Sequence, residues 1–461
     1  MPLPPDPPGP YVLPMPPPAP VTYHRTLGLF SGTMAVVGGI IGSGIFINPS
    51  IVAQRVGTAG LSLGVWALGG LVALAGAFCF AELGQRRPQA GGGYVYLREA
   101  FGALPAFLYA WALLLVIATG AIAAVAVTFA QYTLALLGLG ALWSRPLAAG
   151  AILLLTAINV VGIRPGAVTT NIFTLLKLSA LGFLVVIGLG ATAGGGTPPA
   201  TGVPSGGSVF LALAAALVPV LFAYGGWQQT NYIAEEILDP ERNLPRALVL
   251  GVGLVVVVYL SANFTYLRVL GAGGLAASLA PAADVAQARL GEVGRTVIAF
   301  GIAASTFGFL NLVIMVSPRV YQTMAADGLF FPTFARLHPE FRTPVAAIVA
   351  QGLWAVLLLY SGHYGQLLDY VTFCDWIFFG LAALALFPIR RHDAESGRVS
   401  PDSAFRVPFW PVTPLLFVAA ALYVVLGSIT SNPRNALLGL TILLLGVPAY
   451  WFWRRRSRPP A

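Results

Sequence analysis

The chain has 461 residues, of which 57% are hydrophobic and 9% charged, with a mean hydropathy of +0.82. A soluble domain carries roughly 25% charged residues, so this composition excludes a water-soluble globular protein and leaves a polytopic membrane protein. The net charge of +9 is not read as a nucleic-acid footprint, because arginines clustered beside apolar runs set membrane topology instead.

Residues 1–22 form a Pro-rich segment, with 11 prolines in the first 20 positions. It lacks the basic start and apolar core of a signal peptide and is expected to be a disordered cytoplasmic tail. A bilayer core needs about 20 apolar residues per helix. Twelve such runs follow, near 27–53, 59–86, 100–137, 146–164, 168–191, 209–236, 244–270, 296–325, 343–361, 366–388, 409–428 and 434–453. They are separated by turn-rich stretches such as "RRPQAGGG", "TAGGGTPPATGVPSGG" and "DPERNLP". The chain ends in a basic tail, 454–461. With the N-terminus inside, 18 arginines fall in inside segments and 6 in outside segments. That bias predicts an even number of spans with both termini cytoplasmic.

Spans 1 and 6 differ from the rest. "VVGGIIGSGIFINPS" carries Gly38, Gly39, Gly42 and Gly44, and "LFAYGGWQQTNYIAEE" carries Gly225 and Gly226. Glycine disfavours continuous helix. Unwound backbone at membrane depth survives only where it lines a polar cavity. Paired interruptions at corresponding places in two five-span groups are the sequence mark of a transporter binding site. Span 5, "NIFTLLKLSALGFLVVIGL", holds Lys177, the one lysine among 25 basic residues, about ten residues from either end of the span. Snorkelling to the interface is hard from there. Span 10, "YVTFCDWIFFGL", holds Asp375, also far from its ends. An intramembrane carboxylate suggests function. Asp375 is a candidate proton carrier, and structural hydrogen bonding to a neighbouring span is the competing reading.

The two cysteines, Cys79 and Cys374, lie inside apolar runs, and His24, His338, His363 and His392 are scattered. The pattern gives no disulfide framework, no metal set and no nucleophile–base pair. No cofactor, metal or enzymatic activity is expected. Glu82, Glu235 and Glu236 sit near the cytoplasmic ends of spans 2 and 6, with Arg86, Arg87, Arg242 and Arg319 as candidate partners. A gate network and plain interfacial solvation both fit.

"GGIIGSGIFINPS" and "FAYGGWQQTNYIAEEILDPERNLPRAL" resemble the first- and sixth-helix signatures of the amino acid–polyamine–organocation superfamily. "AELGQRRPQAGGGYVYLREAFG" and "SPRVYQTMAADGLFFP" are also similar to that superfamily, and the match is best with the L-type amino-acid transporter branch and its bacterial relatives. The resemblance covers roughly residues 25 to 450. It implies an all-α fold of 12 transmembrane helices. A five-plus-five inverted repeat, with helices 1 and 6 broken, occupies the core, 23–408, and spans 11 and 12 follow at 409–453.

The resemblance also implies a substrate site at the breaks. The carboxylate of an amino acid would meet backbone N–H groups at Gly42, Ser43 and Gly44, favoured by the helix dipole. Its ammonium would meet carbonyls of span 1 near Ile40 and Ile41 and of span 6 from Phe222 through Ala223 to Gly225. Close packing by small residues is the structural alternative for "GSGIF". Phe222 would act as an aromatic lid, and Gly225 would leave room for the side chain. Lys177 would stand where sodium-coupled relatives hold a sodium ion, with Ser305 and Asn311 on span 8 as candidate partners.

Neither break carries a charged side chain, which favours neutral L-amino acids over cationic or anionic ones. The expected function is sodium-independent secondary transport of neutral L-amino acids by alternating access, through exchange or proton symport. A carrier of cationic amino acids or polyamines with Asp375 as counter-charge is the alternative. A non-transporting amino-acid sensor is the reading from another class. The expected partners are the substrate and the lipid bilayer, with neither nucleic acid nor a disulfide-linked subunit. The expected location is a plasma (inner) membrane, and the Arg-, Gly- and Ala-rich composition suggests a bacterium.

Overall fold

The computed structural model describes residues 22–190, 209–361, 364–397, 404–431 and 433–456. Nearly all of the Pro-rich tail, residues 1–21, and the last part of the basic tail, 457–461, lie outside the described residues, as does His363. Among the described residues, nine helices are long and apolar enough to cross a membrane. They are spans 2 to 5, 7, 8 and 10 to 12, beginning with Ala59–Arg86, Ala103–Leu137, Ala141–Val160 and Ile163–Leu189. A tenth, span 1, is the pair Leu29–Ile40 and Gly44–Val56, bent by 43°. Val345–Ser361 is the shorter span 9. Span 6 is an α-helix, Val209–Ala223, followed by a tighter 3₁₀ segment, Trp227–Glu236. The twelve-span frame and the breaks in spans 1 and 6 both follow.

The connections are more ordered than the turn signals suggest. "GGGYVYLREAF" begins a short helix, Gly93–Phe101, between spans 2 and 3. Span 7 runs Pro240–Ala277 and span 8 Pro281–Val316, each kinked at a glycine in the left-handed region, Gly271 (φ 70°) and Gly291 (φ 59°). Helix therefore extends into the segment between them, which the sequence marks only as a connection. A π-helical turn, Leu113–Ile117, interrupts span 3.

The face that carries both ends of the described chain is closed by polar contacts. Backbone N–H groups of Thr26 and Leu27 donate to the Glu236 carbonyl, and Leu238 donates back to Leu27. The entry to span 1 is thereby stitched to the exit from span 6. The Glu236 carboxylate pairs with Arg319 of the short helix Pro318–Ala326, at 3.1 Å, with side chains 1% and 0% exposed. The Tyr23 ring lies 5.8 Å beneath the guanidinium. Glu82, fully buried, accepts from Arg86 (2.8 Å), from Arg390 (2.7 Å) and from the Val407 backbone (2.7 Å). Asp393 accepts from Arg86 (2.6 Å) and Arg87 (2.7 Å), and Arg390 stacks on Trp410 at 3.6 Å. Among the described residues Arg242 joins no ion pair. Glu235 instead accepts from the Ala90 backbone.

Removing one member of a buried pair leaves the other charge uncompensated, at about 3–5 kcal/mol, whereas replacing both with apolar residues is often neutral. Glu236→Ala is therefore expected to destabilise the protein by about that much in thermal unfolding followed by size-exclusion. The double variant Glu236→Leu/Arg319→Met should recover most of the loss.

Candidate substrate site at the two helix breaks

The glycines bring the two breaks into backbone contact. A Cβ on Gly39 would come within 2.7 Å of the Gly226 carbonyl oxygen, and one on Gly226 within 2.1 Å of the Gly39 oxygen. Gly226 also has φ 109°, a conformation side-chain-bearing residues rarely adopt. A Cβ on Gly44 would likewise meet the Ala223 Cβ at 3.0 Å.

Around this contact the backbone ladder opens. Gly42 N–H donates to Ile40 and Phe46 N–H to Ser43. The N–H groups of Ser43, Gly44 and Ile45 make no backbone hydrogen bond among the described residues. They are the orphan donors expected in the first turn of a helix, at the positive end of its dipole. On span 6, Gly225 N–H turns back to the Phe222 carbonyl, and Gly226 N–H donates to the Gln228 side chain.

A cavity of about 110 Å³ lies against both breaks. Ile40, Gly42, Ser43, Gly44, Phe222, Ala223 and Gly225 line it, while Ile41 does not. Ile41 turns its carbonyl away, toward span 5. Phe222 keeps 39% of its surface exposed beside the cavity. The opposite wall, from span 3, is apolar: Leu113, Ile117, Ala118, Ala121 and Val125. The π-helical turn supplies the first two. Asp375, Trp376 and Phe379 close the cavity from span 10, and Gln229, Tyr232 and Ser317 add polar groups.

Lys177 sits behind the break in span 1. It is 0% exposed and does not border the cavity. Its Nζ donates to the carbonyls of Gly38 (3.1 Å) and Ile41 (2.7 Å), both freed by the interruption of the helix. Ser305 Oγ donates to the same Ile41 oxygen at 3.2 Å. Spans 1, 5 and 8 thus meet at one ammonium, and Ser305 belongs with it. Asn311 does not. Its amide donates to the Gly166 carbonyl (2.7 Å) and to Thr170 (2.8 Å), and its oxygen accepts from Asn159 (2.9 Å), tying span 8 to spans 4 and 5. On an α-helix a six-residue step turns the side chain by about 120°, so Ser305 and Asn311 face different neighbours.

Several groups at the site were not legible in the sequence. Tyr259 of span 7 places its hydroxyl 3.2 Å from both the Ile40 and Ala223 carbonyl oxygens. One O–H bridges the two breaks. Tyr109 and Tyr232 hydrogen-bond to each other beside the cavity. Tyrosines in apolar runs carry no spacing that sets them apart from ordinary core residues.

The "amino acid permease" family model matches residues 27–447. The chain belongs to the amino acid permease family. This permease is 33% identical over 440 residues to the Homo sapiens "b(0,+)-type amino acid transporter 1", an alignment covering 94% of this chain and 89% of that one. It is also 33% identical over 454 residues to the Mus musculus "Large neutral amino acids transporter small subunit 2", covering 95% and 83%. These relatives are transporters, not enzymes. The family match of 27–447 takes in both broken spans and their cavity.

Proposed function

We propose that this permease is a sodium-independent secondary transporter of neutral L-amino acids that works by alternating access. The observation that carries the reading is the pair of breaks in contact through Gly39 and Gly226, open to one cavity and backed by Lys177. Free amides at Ser43, Gly44 and Ile45 suit an α-carboxylate. The carbonyl oxygens of Ile40, Phe222 and Ala223 each keep capacity for a further donor, since a carbonyl has two lone pairs. They suit an α-ammonium in turn. The apolar wall of span 3 and the absence of a Cβ at Gly225 favour an uncharged side chain. In the same reading Lys177 supplies the fixed positive charge that a bound sodium ion would bring, so no sodium is needed. The names of the two relatives, as transporters of amino acids, support the substrate.

The arginine bias supports cytoplasmic termini, and the composition supports a bacterial inner membrane. The polar closure around Glu82 and Glu236 is then a cytoplasmic gate, shut in this conformation. The mouse relative is named as a subunit. In this chain both cysteines, Cys79 and Cys374, are buried within spans 2 and 10, which speaks against a disulfide-linked partner. Purified protein in liposomes loaded with leucine should take up labelled leucine at the same rate in sodium and in choline buffer. A strict sodium requirement would overturn the role given to Lys177, and failure of any amino acid to exchange would overturn the transport reading itself.

A further inference from the structure

Asp375 is the one carboxylate among the residues lining the cavity. Its Oδ1 is buried without a hydrogen-bond partner among the described residues, and it takes part in none of their ion pairs. The titratable groups in its electrostatic range are Tyr109 of span 3, Tyr232 of span 6 and Cys374 beside it on span 10. The charged groups near the end of span 10 — Glu82, Arg86, Arg87, Arg390 and Asp393 — are paired with one another at the closed face. No ion pair among the described residues brings spans 2, 9, 11 or 12 to Asp375.

An ionised carboxylate at membrane depth without a cation costs several kcal/mol. Lys177 cannot serve as that cation, because its Nζ is committed to carbonyls behind the break. Nor does Lys177 border the cavity, so the cavity opens onto Asp375 and not onto the lysine.

We infer that Asp375 carries a proton through the transport cycle and couples this permease to a proton gradient. The proton binds from the cavity while it faces the side of higher proton concentration. The neutral acid is the form occluded together with the substrate. The proton leaves to water once the cavity faces the other side, and the empty carrier returns with the carboxylate ionised and hydrated in the cavity, to be protonated again on the first side. A zwitterionic substrate has no net charge, so each cycle moves one positive charge with one amino acid. Tyr232 lines the same cavity as Asp375, and its hydroxyl is bonded to that of Tyr109 behind it. Tyr321, whose buried hydroxyl has no hydrogen-bond partner among the described residues, lies next in electrostatic range of Tyr232. These groups accept and donate a proton without themselves becoming charged.

This inference rests on the transport reading above and goes beyond it in naming the driving ion. The test uses liposomes containing the purified full chain, a lumenal pH dye, and potassium with valinomycin to hold the membrane potential at zero. Adding leucine outside should acidify the lumen of wild-type vesicles. A one-to-one stoichiometry should drive about tenfold accumulation per unit of inward pH gradient, since each pH unit is a factor of ten in proton concentration. Asp375→Asn should lose both the acidification and the accumulation, and leucine counterflow measured in parallel reports separately what the substitution in the cavity wall does to substrate binding. Asp375→Glu should restore them with a shifted pH dependence. Leucine counterflow without proton movement in the wild type would overturn the inference while leaving the transport reading intact. So would gradient-driven accumulation by Asp375→Asn. So too would arginine uptake that alone depends on Asp375, since that would make the carboxylate a substrate counter-charge. Should Asp375→Asn not fold, the wild-type proton signal and the Glu variant decide. Absence of any counterflow in the wild type would count against the transport reading first.

Discussion

Lys177→Ala will cut leucine exchange at least about a hundredfold while the protein still folds and elutes as a single species. The lysine makes two charge-assisted hydrogen bonds, to Gly38 and Ile41, of a kind worth about 1.5–3 kcal/mol each. Losing only the smaller total, about 3 kcal/mol, from the substrate-competent arrangement of span 1 is already more than a hundredfold in an equilibrium constant. The fold survives because Ile41 keeps its bond from Ser305 and the surrounding spans keep their packing. Lys177→Arg should not rescue transport. The lysine Cε already lies 3.6 Å from where a Cβ on Gly308 would stand, and the side chain is fully buried. A guanidinium is larger, planar and differently directed. Exchange in proteoliposomes, normalised to incorporated protein, reads both variants. Wild-type rates in Lys177→Ala would reduce the lysine to an anchor.

The sequence displayed both ends of this argument and hid the middle. The glycine runs in spans 1 and 6 and a lysine at membrane depth violate the ordinary pattern of a transmembrane helix, and each violation marks a place where polar backbone needs company. Ser305 was reachable from the idea that the ammonium replaces an ion. Asn311, on the same span 8, is as good a candidate in the sequence. The helical step sends it instead to Asn159, Gly166 and Thr170. Tyr259, which bridges the two breaks, gave no signal because a tyrosine in an apolar run looks like core until its hydroxyl is placed. The closure around Glu82 depends on Arg390, 308 positions away, and on the Val407 backbone. Pairings across such separations are products of the tertiary fold. The charges at 390–393 read in the sequence only as topology markers.

Two adjacent glycines should answer substitution in opposite ways, and the contrast tests whether contact between the breaks is essential. At Gly226 the backbone has φ 109°, and a Cβ would stand 2.1 Å from the Gly39 oxygen and 2.6 Å from its carbonyl carbon. Gly226→Ala therefore combines the strain of a left-handed residue, about 1–2 kcal/mol, with overpacking against backbone, about 1–3 kcal/mol. The neighbour is main chain and cannot swing aside, so relief comes only by moving span 1 away from span 6. That motion pulls the free amides near Ser43 and the carbonyls near Phe222 out of register across the cavity. Poor yield of folded protein, and no exchange from what is recovered, is the expected outcome. At Gly225 a Cβ would meet only the Phe222 and Leu221 oxygens, at 3.3 and 3.8 Å, and the residue lines the cavity. Gly225→Ala should fold and should still exchange alanine, but the added methyl takes space from a larger side chain, so leucine should compete less well than in the wild type. Equal tolerance at the two positions would mean that the breaks are not held together by their glycines, and that substrate is gripped by one of them alone.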